Sequence, residues 1–300
     1  TSMAKTCTII KDGRADTYGR PLLVGQTYTG PDDEVFSLWQ SGFASVAGAP
    51  GAFLPATQIK QQIIAQSNIP LFIMPGDGSA NGCQFTGTNG DFTLSAAILS
   101  GIGAHFAGAY SYFPANFGGS SRPAGFYWVE FSSDTAGKVY ANTYNQVGPP
   151  QRPISNAVFS ENLTGWNTAP TTEITAVNEI LVPGGSLGLN GRMLVNLHHT
   201  GSSAGSKTVR IRDSAMTTWV STSTSTNSIF DNSFEIICLA SHTMKKRHLY
   251  FGSLSSTINP APFTGVSTLD DQLLSLTIQQ SVNTACIGID SFQIIATYGA

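Results

Sequence analysis

Polar and apolar residues alternate one by one in two stretches of the second half of this chain. In residues 207–212, Val209 and Ile211 alternate with Thr208, Arg210 and Arg212. In residues 274–279, Leu274, Leu276 and Ile278 alternate with Ser275, Thr277 and Gln279. A period of two sends successive side chains to opposite faces, which is the mark of a half-buried strand. Residues 234–240 and 287–297 are more continuously apolar and read as central strands. Gly, Ser and Asn turns separate these segments, with no helical period between them, so a sandwich of short strands is expected.

Composition supports the same reading. Only 11 % of the 300 residues are charged, against roughly 25 % in ordinary soluble domains. Polarity comes from 33 Ser, 31 Thr and 31 Gly, residues that weaken helices and suit strands and tight turns. Aromatics at 10 % argue against disorder. The net charge of −3 lacks the basic face that nucleic-acid binding needs, so no nucleic-acid partner is expected. The basic run Lys245-Lys246-Arg247-His248 reads as a solvated turn or strand end. No apolar run is long enough to span a membrane, and membrane insertion is not expected. Cys7, Cys83, Cys238 and Cys286 lie far apart, without metal or redox spacing, and fit buried thiols made in a reducing cytoplasm. A disulfide between distant strands stays open.

Along the chain, Cys7-Thr8-Ile9-Ile10 suggests a first strand. Carboxylates cluster at Asp32-Asp33-Glu34 in a turn-like setting, and an apolar pattern follows in 35–39. Residues 57–66 are the best helix candidate, with Thr57 as N-cap and Ile59 and Ile63 four apart. From residue 69 onward strands are expected at 70–74, 109–113, 125–131 and 138–140. Three Pro within 147–153 cannot pair inside a sheet, which places a domain boundary near 150. The expected organisation is an N-terminal segment of uncertain fold (1–67), a β-rich domain (68–150) and a β-sandwich (151–300). Roughly eight strands in the last part fit a jelly roll. The fold class is therefore all-β.

Signals for catalysis are sparse. His198 and His199 are adjacent, so on a strand they face opposite ways and do not ligate one ion together. His242 and His248 flank the basic run. No Gly-x-Ser-x-Gly occurs, and Ser is too common for a triad to be argued from sequence. The acid groups 32–34 and 270–271 read as polar turns rather than as a glycosidase pair. Asp77 and Asp91 lack the spacing of a calcium loop. No catalytic residue, no metal site and no cofactor is expected, and the chain reads as a non-enzyme.

A resemblance sharpens this. Tyr110-Ser-Tyr-Phe-Pro-Ala115, then Ala124-Gly-Phe-Tyr-Trp-Val129, then residues 131–140 with Asn142-Thr-Tyr144, resembles a module of fibre, spike and receptor-binding proteins of tailed bacteriophages. Residues 182–191 and 203–212 resemble the terminal β-sandwich of the same group, and 274–278 and 289–294 its last two strands. The resemblance covers about residues 68–300. It implies a homotrimer, a virion location in the tail or fibre, attachment to other virion proteins through the N-terminal region, and adsorption to a bacterial surface glycan or pilus. A purely structural virion role, as baseplate, head-fibre or connector protein, is the alternative, and a glycan-degrading spike a more distant one. Recognition usually falls on loops. Trp219, with Arg212, Asp213 and Asn227 nearby in sequence, supplies the apolar platform and planar polar groups that a sugar needs. Trp166 is a further candidate platform. The competing expectation is that Trp219 plugs the sandwich.

Overall fold

The computed structural model describes residues 4–10, 14–16, 20–40, 42–47, 61–76, 82–95, 108–166, 168–184, 187, 191–201, 205–224, 228–240, 243–251, 263–264 and 270–297. They are predominantly β, in four sheets with one α-helix and one short 3-10 turn.

The N-terminal part forms β1 (Ala4–Ile9), β2 (Arg14–Ala15), β3 (Pro21–Leu22), β4 (Thr27–Pro31), α1 (Asp32–Gln40) and β5 (Ala44–Ser45). β4, β1 and β5 make a three-stranded sheet, and β2 pairs with β3. The carboxylates read as a polar turn instead open α1, where acidic groups meet the positive end of the helix. Val35, Phe36, Leu38 and Trp39 are all buried, at the spacing of one helical face. Tyr28 fixes the helix start by donating its hydroxyl to Glu34 Oε2 at 2.6 Å.

Next come β6 (Gln61–Ser67) and β7 (Leu71–Ile73). β6 corrects the expected helix at 57–66; residues 57–60 lie outside the described residues. Ile63 is 53 % exposed, so its spacing from Ile59 does not mark a buried helical stripe. The edge of a long C-terminal strand supplies the backbone partner that draws 61–67 into the sheet.

A lobe follows: β8 (Cys83–Thr86), β9 (Asp91–Leu94), β10 (Ala109–Phe113), β11 (Gly125–Ser133), β12 (Ala136–Tyr144) and β13 (Thr164–Trp166). Asn89 and Gly90, both at positive φ, turn β8 into β9. A Cβ on Gly90 would lie 2.2 Å from the Val139 carbonyl, so only glycine fits there. Phe85, Phe92, Phe113, Phe117, Tyr127 and Phe159 fill the core of this lobe.

The remaining strands are β14 (Ile174–Val182), β15 (Arg192–Gly201), β16 (Lys207–Asp213), β17 (Thr218–Thr224), β18 (Ser228–Ala240), β19 (Thr243–Phe251), β20 (Phe263–Thr264), β21 (Gln272–Gln280) and β22 (Ile287–Thr297). One sheet has the order β14-β21-β16-β17. The other runs β13-β8-β9-β12-β11-β10-β7-β22-β15-β18-β19-β20, with β6 also on β22. Val209, Ile211, Leu274, Leu276 and Ile278 of the first sheet share one apolar cluster with Val195, Leu197, Phe234, Phe292 and Ile294 of the second. The alternation at 207–212 and 274–279 is thus a sheet with one face on a common core. β18 and β22, the continuously apolar stretches, each have strands on both sides.

Hydrogen-bonded pairing crosses the boundary placed near 150: β7 joins β22 on one side and β10 on the other, and β13 pairs with β8. The proline-rich passage is tied to β10, with Gln151 O accepting from Tyr110 OH at 2.8 Å. The basic run lies inside β19, where Lys245, Lys246 and Arg247 pair with Ile237, Ile236 and Glu235. Past Met244 no further strand pairs with β19 among the described residues, and charge on such an edge discourages stray strand addition.

Candidate functional site

β15 reads Arg-Met-Leu-Val-Asn-Leu-His-His-Thr-Gly. Its alternation buries Met193, Val195, Leu197 and His199 and leaves Asn196 and His198 on the outward face. β22 and β18 do likewise, burying Phe292, Ile294, Phe234 and Ile236 while Gln293, Asp231 and Ser233 face outward. A polar row therefore crosses four strands. Ser233 Oγ donates to Asn196 Oδ1 (2.7 Å), Asn196 Nδ2 to Gln293 Oε1 (3.4 Å), and Gln293 Nε2 to Gln66 Oε1 (3.1 Å). Every donor in the row points toward β6. The row floors a groove of about 600 Å³.

One end of the groove holds ionisable groups. The β15–β22 register slips between His198, which faces Ser291, and His199, which faces Ile289, leaving Asp290 as an extra residue. Such a bulge re-aims a side chain, and here it turns Asp290 toward His198. His198 Nδ1 contacts an Asp231 carboxylate oxygen, and Nε2 lies 3.4 Å from Asp290 Oδ2. Asp290 is only 7 % exposed, and both carboxylate oxygens are buried without a hydrogen-bond partner. Burial, with the Asp231 charge adding to it, raises its pKa to about 7 against the opposing pull of His198 and Thr200. Each ring nitrogen of His198 faces a carboxylate, so neither is placed to take a proton from a serine hydroxyl.

His199 points the other way, as two adjacent strand residues must. It is buried, stacks on Phe230 at 5.3 Å, and burial lowers its pKa to about 4. It is a neutral core residue. His242 and the side chain of His248 lie outside the described residues. Among the described residues no group of three or more His, Cys, Asp or Glu is disposed to hold a metal ion. Asp91 pairs with Lys138 at 2.8 Å, and Asp77 lies outside the described residues.

The residues singled out in the sequence do come together, as a hairpin brace. Asp213 Oδ1 accepts from the backbone N–H of Ala215 and Thr217 in the β16–β17 turn, at 3.0 and 2.8 Å. Its Oδ2 accepts from Trp219 Nε1 at 3.1 Å. Trp219 is 1 % exposed, so it is a core residue with no open ring face for a sugar. Arg212 grips Glu173 through two nitrogens, at 2.7 and 3.0 Å, and donates to Met216 O. Asn227 lies outside the described residues. Trp166 sits in β13 opposite Gln84, and its side chain lies outside the described part.

A smaller concavity of about 360 Å³ lies beside Trp128 and Arg152. There Glu130 accepts from Trp128 Nε1, Tyr140 OH and Asn156 Nδ2. This buckles the segment after Pro150 onto the sheet and leaves the carboxylate already satisfied.

Compared with known proteins, the chain matches no family model, no curated protein and no solved structure.

Proposed function

We propose that this chain is a virion protein of a tailed phage that adsorbs to a bacterial surface glycan through the groove between β6, β22, β15 and β18. The observation that carries the reading is the row Ser233–Asn196–Gln293–Gln66, a line of planar amides and a hydroxyl along an open groove. Sugars are recognised by such groups, which donate and accept in one plane. The row stands on four hydrogen-bonded strands rather than on loops, which gives it a rigid base.

The strand orders support a jelly roll. β6-β22-β15-β18 faces β14-β21-β16-β17, giving eight strands in two sheets joined by crossings between them; that architecture serves capsid and lectin domains alike. A homotrimer follows from the sequence resemblance, with light scattering as its check. The purely structural alternative draws on one observation: Leu181 and Leu273 stand opposite each other on the outer face of the smaller sheet, 46 % and 45 % exposed, as a subunit contact would require.

Blocking phage adsorption with the free protein tests the adhesion reading. The wild-type chain is expected to compete, and the double variant Asn196→Ala, Gln293→Ala is expected to lose competition while melting normally. Wild-type protein that does not compete would favour the structural role.

A further inference from the structure

Resting on the glycan reading, we infer that the groove selects a glycan bearing a free amine, such as a partly de-N-acetylated hexosamine chain, over an anionic one. The relay has a direction. At the β6 end Gln66 has accepted a hydrogen bond and presents its amide N–H₂; at the β18 end Ser233 has donated and presents lone pairs. The acceptor end is also where charge collects. Asp231 and His198 line the groove there, and Asp290 lies behind His198. Two carboxylates thus stand against one imidazole, and none of the described lining residues is Lys or Arg.

Asp290 makes this more than an acidic cluster. It is more than nine-tenths buried and faces the groove's own His198, with Thr200 beside it. The cation in contact with it is His198, which is shared with Asp231. An ammonium group arriving beside Asp231, which is 65 % exposed, meets its carboxylate and the lone pairs of Ser233. A ligand carboxylate or phosphate at the same place would meet like charge. The opposite end offers an N–H₂ to an acetamido or hydroxyl oxygen. Three strand spacings of roughly 4.8 Å make the row about 14 Å long, room for two or three sugar rings.

The test is calorimetric titration of the full chain at pH 7 with three trisaccharides: fully N-acetylated hexosamine, the same with one free amine, and a uronic-acid trimer. The amine trimer is expected to bind about tenfold tighter than the neutral one, since a hydrogen bond to a charged group exceeds a neutral one by roughly that factor. The uronate is expected to bind weakest. Asp231→Asn, at an exposed position, is expected to erase the amine preference. Should that variant melt differently, salt serves instead. The wild-type preference is expected to shrink from 50 mM to 500 mM salt, as screening of a charge pair requires. Binding of the neutral trimer with no amine preference, or a preference that survives both Asp231→Asn and salt, would overturn this inference and leave the glycan reading standing. No binding by any trimer would overturn both.

Discussion

His198 Nε2 lies 3.4 Å from Asp290 Oδ2, joining a groove residue to a carboxylate that the β22 bulge has sunk beneath the sheet surface. The groups around Asp290 are His198 and Thr200 on β15, Asp231 on β18 and the Cys286 thiol just before β22. Burial raises its pKa from 3.8 to about 7. Between those values the folded chain holds a proton that the unfolded chain releases. Stability therefore falls as pH rises through about 4 to 7, and the loss is complete above 7. Asp290→Asn is expected to remove this slope and to raise stability at pH 8 by about 2 kcal/mol. The full shift would give about 4 kcal/mol at 1.36 per pK unit, and losing the His198 pairing offsets part of it. Thermal melts of both proteins from pH 4.5 to 8 check this. Parallel curves would mean that Asp290 is not the group responsible.

Trp219 and Asp213 belong to the scaffold. Trp219→Ala empties a fully buried site and removes the donor to Asp213 Oδ2, on a residue itself 4 % exposed. The expected cost is about 3–5 kcal/mol, read from denaturant unfolding. Trp219→Phe keeps most of the volume and should cost less, about 2 kcal/mol, most of it the indole hydrogen bond to the carboxylate. Unchanged stability with lost adsorption would instead restore Trp219 as a ligand platform.

The strands were legible because their signal is local. Val209 and Ile211, or Leu274 and Leu276, declare a buried face within six residues. The helix at Asp32–Gln40 was less so, since nine residues give only about two and a half turns and its acidic start resembles a turn. The strand at Gln61–Ser67 was hidden because its partner, β22, lies more than 220 positions away. The groove had no local motif at all. Gln66, Asn196, Ser233 and Gln293 are ordinary polar positions on four strands, and only the register aligns them. Asp290 meets His198 through a bulge, which breaks the period that sequence reading relies on. By contrast Arg212, Asp213 and Trp219 were found because they are close in sequence, and that closeness marks a hairpin turn.

The four cysteines are buried thiols, none in a disulfide. Burial pushes the Cys7 thiol up to about 11, with Glu34 adding to it, and the Cys286 thiol to about 12, where Asp290 adds and Lys207 opposes. Burial also raises Cys83. Thiolate is the reactive form, so the native chain at pH 8 is expected to resist iodoacetamide at all three. Four alkylated cysteines are expected by mass only after unfolding. Rapid modification of Cys83 or Cys286 in the native protein would show that the aromatic lobe opens readily.

β7 holds that lobe and the sandwich together, and this makes a prediction about dissection. Leu71, Phe72 and Ile73 pair with Ile289, Gly288 and Ile287 on one side and with Tyr110, Ser111 and Tyr112 on the other. Phe72 closes over Gly288 so tightly that a Cβ there would lie 2.2 Å from its ring. A fragment of residues 151–300 would lack β6 and β7, exposing one whole edge of β22 and the apolar residues that Phe72 covers. It would also strand β13, whose partner β8 is gone. An open apolar edge of that length favours aggregation over folding. The fragment is therefore expected to be insoluble or to melt without cooperativity. The full chain should lose its lobe and sandwich signals in one transition, coincident by circular dichroism and tryptophan fluorescence. Gly288→Ala is the point-mutation counterpart, expected to cost about 1–3 kcal/mol by overpacking. A soluble 151–300 fragment that melts sharply at the temperature of the full chain would show that the β7 pairings contribute little, and that the proline-rich passage is a true boundary.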